Sequence, residues 1–239
     1  MAAHLVAFFR RIADGLGRRC PACGRVARED GPCPDCAREL APRLGGFCPD
    51  CGELYENKTE PPTTCFNCRA DPRPWCRLAF HGPYEGLLRQ LILGYKFSGA
   101  LGQGRLLRRL LREAYLRGET GHGEEKLVVP VPLHPKRLRF RGYNQSLELG
   151  RALAGLPGLR LCLAGLRRTR HTTPQARLKQ KERLANLKGA FEADAALVAG
   201  KKIVLVDDVM TTGSTLEWAA KALYRAGAVQ VECLVLARS

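Results

Sequence analysis

The chain is short of acids, of aromatics and of long apolar runs. Only 23 Asp and Glu stand against 39 Lys and Arg, a formal net charge of +16. That balance argues against polycationic partners and suits polyanions: nucleic acid, a polyphosphorylated metabolite or acidic lipid headgroups. A basic excess that serves only solubility is the plainer alternative. Aromatics make up 7% of the residues, thin support for stacking along a single strand of DNA. No run of 18 or more apolar residues occurs, which excludes a membrane-spanning helix. The stretch 1–19 has a five-residue apolar run broken by Arg10 and Arg11 and no basic region ahead of it, so it does not read as a secretory signal, and a cytoplasmic location is expected. No Gly-Lys-Ser/Thr is present, which excludes a Walker loop. What remains is a chain of 239 residues with 45% hydrophobic content, enough for one large or two unequal domains with a real core.

The most informative stretch is Lys201 to Leu223. Ile203–Val206 is an unbroken aliphatic run, as expected of a strand buried on both faces of a parallel sheet. Asp207 and Asp208 follow at once, and then Thr211, Thr212, Gly213, Ser214 and Thr215. A helix is predicted from Leu216 to Arg225, with Gly227 as its stop. The free N–H groups and positive dipole end of such a helix make 211–215 an anion cradle. Gly213 lets backbone approach a phosphate, and the hydroxyls add donors. The two carboxylates would repel a bare phosphate, but they can accept hydrogen bonds from vicinal ribose hydroxyls and help hold Mg²⁺. A sugar carrying a 5-phosphate satisfies both halves. The bland alternative is an ordinary strand–turn–helix unit with an N-cap. The dinucleotide fingerprint G-x-G-x-x-G is absent from this motif.

Nine of the eleven cysteines lie between Cys20 and Cys76. Eight form four C-x-x-C pairs, Cys20/Cys23, Cys33/Cys36, Cys48/Cys51 and Cys65/Cys68, with Pro21, Pro34, Pro49, Gly24 and Gly52 supplying the turns. Two thiolates from one tight turn reach the same metal, so the four pairs supply two tetrahedral Cys₄ zinc sites. The segment has few large apolar residues and needs metal for stability, on the order of 10 kcal/mol per structural site. Disulfides are the rival, disfavoured by the knuckle spacing and the lack of a signal. Sequential pairing of the knuckles closes the shortest loops, and interleaved pairing stays open. Cys76 is left over and expected to pack near Trp75. Cys162 and Cys233, alone in apolar strands, read as core.

Elsewhere Leu5, Phe8, Phe9, Ile12 and Leu16 give 1–19 an amphipathic helical face. Pro-rich turns at 60–62 and 71–74 place a boundary near residue 76, so the expected units are 1–19, 20–76 and 77–239. A strand at 78–81, helices at 87–95 and 101–116, strands at 127–132, 159–166 and 229–236, and a helix at 143–153 complete an alternating pattern. Such alternation implies a doubly wound parallel α/β sheet with its site at the strands' carboxyl ends. Lys96, at a helix end, either faces that site or is solvated. The loop after the 127–132 strand carries Lys136, Arg137, Arg141, Gly142 and Asn144, with Gln145 behind them. It is a basic loop at the mouth of a helix, suited to an anion, or else a basic surface loop. His134 reads as a hydrogen bonder that shapes the loop. Between Arg160 and Lys188 nine Lys or Arg face one Glu, a pattern of a mobile lid or a nucleic-acid strip.

VLVDDVMTTGST at 204–215 resembles the PRPP-binding motif of type I phosphoribosyltransferases. With the four knuckles, V-P-V-P-L-H-P-K-R at 129–137, R-G-Y-N-Q at 141–145 and Thr172, Gln175, Leu178, Arg183 and Asn186, nearly the whole chain resembles the ComF family, a double zinc ribbon joined to a phosphoribosyltransferase-like domain. The resemblance implies that Asp207 and Asp208 hold the ribose hydroxyls and Mg²⁺, that 211–215 holds the 5-phosphate, that Lys136, Arg137, Arg141, Gly142 and Asn144 hold pyrophosphate, and that 168–183 closes over PRPP. Catalysis would then fall to Asp207, Asp208, Arg137 and Arg141. Purine-base enzymes carry an acid where this chain has Thr211, which argues against purine salvage, whereas the orotate branch has Thr there. ComF proteins are associated with DNA uptake and natural transformation. The resemblance therefore also implies single-stranded DNA and competence or recombination proteins as partners. The alternative is a non-catalytic DNA-handling or docking factor with a regulatory or vestigial PRPP site.

Overall fold

The computed structural model describes residues 18–27, 30–97, 101–118, 124–170 and 189–239. The elements in chain order are β1 (Arg18–Arg19), β2 (Val26–Ala27), α1 (Pro34–Glu39), α2 (Phe66–Ala70), β3 (Arg77–Pro83), α3 (Gly86–Phe97), α4 (Leu101–Arg117), β4 (Lys126–Pro130), α5 (Pro135–Arg141), α6 (Gln145–Gly150), β5 (Leu159–Leu161), β6 (Leu166–Arg168), β7 (Phe191–Ala193), α7 (Ala195–Val198), β8 (Lys202–Met210), α8 (Ser214–Arg225) and β9 (Gln230–Arg238). A single 3₁₀ turn, Arg151–Leu153, continues α6.

Five strands form one sheet in the order β3-β9-β8-β4-β5, every pair parallel. Side chains alternate between its faces, and the aliphatic runs therefore feed two cores. Val128, Val204, Val206, Leu234 and Leu236 pack under α3, α4 and α6. Val129, Ile203, Leu205, Val231 and Val235 pack under α8. From β4 the chain moves outward to β5 on one side, whereas β8 and β9 add on the other. The order reverses between β4 and β8, and a crevice opens there beyond the strand ends. At the opposite end of the sheet a buried ion pair, Lys126 Nζ to Glu232 at 3.0 Å, ties β4 to β9 across β8.

The cysteine-rich segment wraps the exposed edge of the sheet. The Arg43 N–H donates to His81 O at 2.9 Å, and His81, 1% exposed, sets Nε2 2.7 Å from Leu40 O. Unpaired edge groups of β3 thus find partners in the chain itself. Leu40 joins the core under α3 and α4, whereas Cys48, Cys51, Cys68 and Trp75 join the core under α8. The segment straddles β3, one half on each face.

Three expectations change in detail. Leu159–Leu166 is not one strand: β5 closes the sheet, and β6 pairs antiparallel with β7 in a separate two-stranded unit. The basic loop after β4 contains a short helix, α5. Pro135 at its start, His134 as its cap and Gly142 at φ +84° as its left-handed stop make a complete set of helix signals. Arg18 and Arg19 pair with Val26 and Ala27, so the end of the expected 1–19 helix is a strand. The rest of that segment, and 171–188, which takes in most of the lid expected at 168–183, lie outside the described residues. Cys233 is buried as expected, Cys162 is half-buried, and Cys76 is exposed, its thiol donating to Val231 O at 3.4 Å. Among the described residues no helix is long and apolar enough to cross a membrane.

Candidate functional site

β4 and β8 pair only as far as Pro130 and Val206. Beyond that point β8 runs on to Met210 with β9 alone, and its free side, carrying Asp207 and Asp208, faces the crevice. The Ser146 hydroxyl donates to Asp207 Oδ1 at 2.8 Å, and the Asp208 N–H donates to the same oxygen at 2.9 Å. Burial and the neighbouring Asp208 carboxylate push the Asp207 carboxyl up to about 7 from its ordinary 3.8; the two hydrogen bonds only partly oppose this. Asp208 Oδ2 receives Lys96 Nζ at 2.9 Å. Lys96 therefore faces the site rather than solvent.

The crevice holds about 360 Å³. Lys96, Arg137, Arg141, Arg168, Asp207 and Asp208 line it, and Thr211 and Thr215 stand at its rim. Burial and then the Arg141 charge depress Arg137, and burial and then the Arg137 charge depress Arg168, to about 10, so both remain cations at neutral pH. Like charges packed this closely favour an anion between them. Gln145 is 1% exposed and lines the same crevice. Its Oε1 accepts from Arg141 Nη1 at 2.9 Å, while its Nε2 has no protein partner. A buried donor of that kind needs an acceptor from elsewhere.

The remaining predicted residues frame the crevice instead of lining it. Gly142 stops α5. Asn144 caps α6, accepting from Ser146 N at 3.1 Å and donating Nδ2 to Val131 O at 3.0 Å, which fixes α6 against the end of β4. The Lys136 side chain is exposed, and its N–H donates to His134 Nδ1 at 3.2 Å, so His134 shapes the loop. Gly213, at φ +81°, is the N-cap of α8; a Cβ there would stand 2.6 Å from Met210 Cε. Thr212 and Ser214 hydroxyls pair at 2.9 Å behind the turn. Three polar or charged lining residues were not anticipated: Tyr84, Ser146 and Arg168, the last expected only as part of a lid. Ser146 had one local signal, a hydroxyl in the first turn after the Asn144 cap. Tyr84 had none.

The cysteines fall into two groups, Cys20, Cys23, Cys33 and Cys36, and Cys48, Cys51, Cys65 and Cys68, with the Sγ atoms of each within 4.8 Å of one another. The pairing is the sequential one. Cys23 and Cys33 Sγ lie 3.7 Å apart, and Cys51 and Cys65 Sγ 3.8 Å. A tetrahedral zinc with Zn–S bonds of about 2.3 Å requires an edge of about 3.8 Å. Backbone N–H groups of Cys33 and Cys65 point at Cys20 and Cys48 Sγ, at 3.2 and 3.4 Å, as suits thiolates. Each group fits one zinc ion closed to further ligands, hence structural.

Residues 148–239 match the family model described as a phosphoribosyl transferase domain, which spans β5 to β9 and both carboxylates. Together with the parallel sheet and its crevice, this defines a protein with a phosphoribosyltransferase-type α/β domain and an N-terminal pair of zinc-ribbon clusters. The chain is 36% identical over 230 residues to the "DNA utilization protein YhgH" of Escherichia coli O6:H1, covering 93% of this chain and 92% of that one. It is 34% identical to "Competence protein F" of Haemophilus influenzae, over 73% of this chain and 78% of the other, and 31% identical to "Competence protein ComFC" of Streptococcus pneumoniae, over 76% and 78%. The chain belongs to the ComF family.

Proposed function

We propose that the crevice binds a phosphoribosyl ligand, with PRPP as the species that uses every group in it. One observation carries the reading: four cations and a carboxylate pair share 360 Å³ beside a small-hydroxyl turn at a helix N-terminus. In this reading Asp207 and Asp208 accept from the ribose hydroxyls, Lys96 yielding its place on Asp208 to them. Residues 211–215 hold the 5-phosphate. Arg137, Arg141 and Gln145 hold the pyrophosphate, with Gly142 and Asn144 fixing their helix ends and Lys136 adding charge from outside. Mg²⁺ bound with the ligand would supply charge neutralisation at the pyrophosphate, for which the two carboxylates are a suitable oxygen donor set. If the site turns over, it is a pentosyl transferase: an acceptor displaces pyrophosphate from the anomeric carbon through an oxocarbenium-like transition state, and the arginines stabilise the leaving group. Residues 20–76 form the metal-dependent module of this reading and 77–239 its ligand-binding domain. Eight reduced thiols in zinc-type groups suit the reducing cytoplasm.

The test is calorimetric titration of Mg²⁺ and PRPP into the zinc-loaded protein, with and without Asp207→Asn and Asp208→Asn. Saturable, Mg²⁺-dependent binding that the double variant weakens at least tenfold is expected. Absence of binding to the unaltered protein removes the reading.

A second reading, DNA handling, follows the names of the relatives and has its own observation. Arg105, Arg108, Arg109 and Arg112 recur at helical spacing on one side of α4, and with Arg19 the first three line a cleft of about 610 Å³ against the first Cys₄ group. A polyphosphate backbone fits such a stripe. Replacing Arg105, Arg109 and Arg112 with Gln should weaken binding of a labelled oligonucleotide and flatten its salt dependence, while the Asp207/Asp208 double variant leaves both unchanged.

A further inference from the structure

The second Cys₄ group and the 211–215 turn are far apart in the chain, yet they share a wall. Trp75, 5% exposed, stands between them. Its indole N–H donates to Asp50 O at 2.7 Å, inside the turn that joins Cys48 to Cys51. Its far edge, Cη2, lies 3.5 Å from where a Cβ on Gly213 would be. Arg238, at the end of β9, makes the same span from the other side. Its Nε donates to Cys51 O at 2.7 Å and its Nη1 to Met210 O at 3.5 Å. The stem of Arg238 packs on Gly52, with Cγ 3.0 Å from a Cβ built there. Arg73 adds a third link, an ion pair at 3.8 Å with Glu217 in the first turn of α8, while its guanidinium also faces Cys68. All three links have one end on the second knuckle and the other on residues that frame the cradle. The first Cys₄ group sits elsewhere: Gly31 lies against the Arg109 guanidinium and Ala22 against the core under α3 and α4.

We infer that the second Cys₄ knuckle sets the geometry of the 211–215 cradle, with Trp75 and Arg238 as the positioning residues that join the metal-ordered turn to Gly213 and Met210. The inference rests on the reading of 211–215 as a phosphate site and names what controls it. A backbone cradle holds phosphate only if its N–H groups converge before the ligand arrives, because ordering them on binding is subtracted from affinity. The turn from Met210 to Ser214 contains a left-handed glycine and leaves no room for a side chain there. What holds it from behind is the Trp75 ring and the Arg238 fork, and both are anchored on carbonyls of the Cys48–Cys51 turn. That turn keeps its shape only while its thiolates share a metal. Occupancy of the second group thereby governs the site, and occupancy of the first does not.

Four full-length proteins test this: unaltered, Trp75→Phe, Cys65→Ser with Cys68→Ser, and Cys20→Ser with Cys23→Ser. Two readouts are taken: amide hydrogen exchange, and the dissociation constant for ribose 5-phosphate and for PRPP with Mg²⁺. The second-group variant and Trp75→Phe should each speed exchange across 210–217 about tenfold or more and weaken both ligands by a similar factor, with the amides of 203–206 still protected. The first-group variant should leave both readouts within about twofold. Equal effects from the two cysteine variants, or unchanged exchange at 210–217 in Trp75→Phe, would overturn the inference. If the second-group variant also loses protection at 203–206, Trp75→Phe, which keeps all four thiols, decides alone. If the unaltered protein binds neither ligand, the phosphate reading fails, and the exchange contrast still decides whether the knuckle orders the turn.

Discussion

Asp207 is the residue at which stability and the proposed binding role pull in opposite directions. Its carboxyl is pushed up to about 7 by burial and by Asp208, against an ordinary 3.8. The folded protein therefore keeps a proton that the unfolded chain gives up between about pH 4 and 7. Ionising Asp207 costs stability through that window, and the cost is complete above it. Asn at this position still accepts from Ser146 and from the Asp208 N–H but carries no charge. Asp207→Asn should leave the melting temperature unchanged near pH 4 and raise it progressively toward pH 7. Above that the gain should level off, on the order of 4 kcal/mol, the linkage equivalent of a carboxyl raised from 3.8 to about 7, or roughly 8–16 °C. Thermal scans across pH 4–8 read this directly, and a gain independent of pH would contradict it. Gly213 sets the opposite limit. Its φ of +81° and the Met210 methyl 2.6 Å from a Cβ leave alanine no unstrained place, so Gly213→Ala should lower the melting temperature and weaken PRPP at least tenfold, as thermal scans and calorimetry would show. Both residues were legible in the chain because their chemistry is local: paired acids after an aliphatic run, and a glycine among hydroxyls. Ser146 was not, since it reaches Asp207 from 61 positions away. Lys96 could be read two ways for the same reason; only the meeting of α3 with the end of β8 brings it to Asp208.

Among the elements, the positions of the buried central strands followed from composition, while the split of 159–166 into β5 and β6 and the sheet order did not. Apolar runs at 128–131, 203–206 and 233–237 are buried wherever they are placed in a parallel sheet, so their hydrophobicity says nothing about which is central. α5 shows the converse: its cap, its proline and its glycine stop were all visible, but its basic composition drew the reading toward a loop. The most consequential element-level feature had no sequence signal. Lys126, at the start of β4, and Glu232, early in β9, pair across the intervening β8, at 4% and 8% side-chain exposure. Glu232 also faces Arg77 at 3.8 Å and accepts from Gln230 Nε2 at 3.4 Å, so removing it takes a buried carboxylate away from both Lys126 and Arg77. Glu232→Ala should therefore cost about 3 kcal/mol, a fall of roughly 6–12 °C in melting temperature, whereas a Lys126→Met, Glu232→Leu double variant should recover most of it. Equal destabilisation by the single and double variants would show that the pair contributes through packing rather than charge.

At the scale of the whole molecule the question is why a ribbon with two Cys₄ groups and a parallel sheet with a charged crevice share one chain. The ribbon is poor in large apolar residues, and the sheet ends at β3, an edge strand paired with another strand on one side only. Each lacks what the other supplies. Leu40 and Trp75 anchor the two halves of the ribbon in opposite cores, and between them Arg43 and Leu40 meet His81 on the sheet's edge. Zinc in each Cys₄ group would hold that half in the shape that makes this clamp, so its removal should be felt along β3 as well as in the knuckles. Stripping both sites with a strong chelator at neutral pH, under reducing conditions, should release two zinc ions per chain. The melting temperature should fall by 10 °C or more, and the amides of Arg77–Pro83 should exchange faster than those of the central strand β8. An uncovered edge strand is also a template for pairing between chains, so light scattering should rise after chelation and fall again when zinc is restored. If chelation leaves β3 as protected as β8, the edge is held by the apolar anchors alone, and the metals serve only the knuckles that bind them.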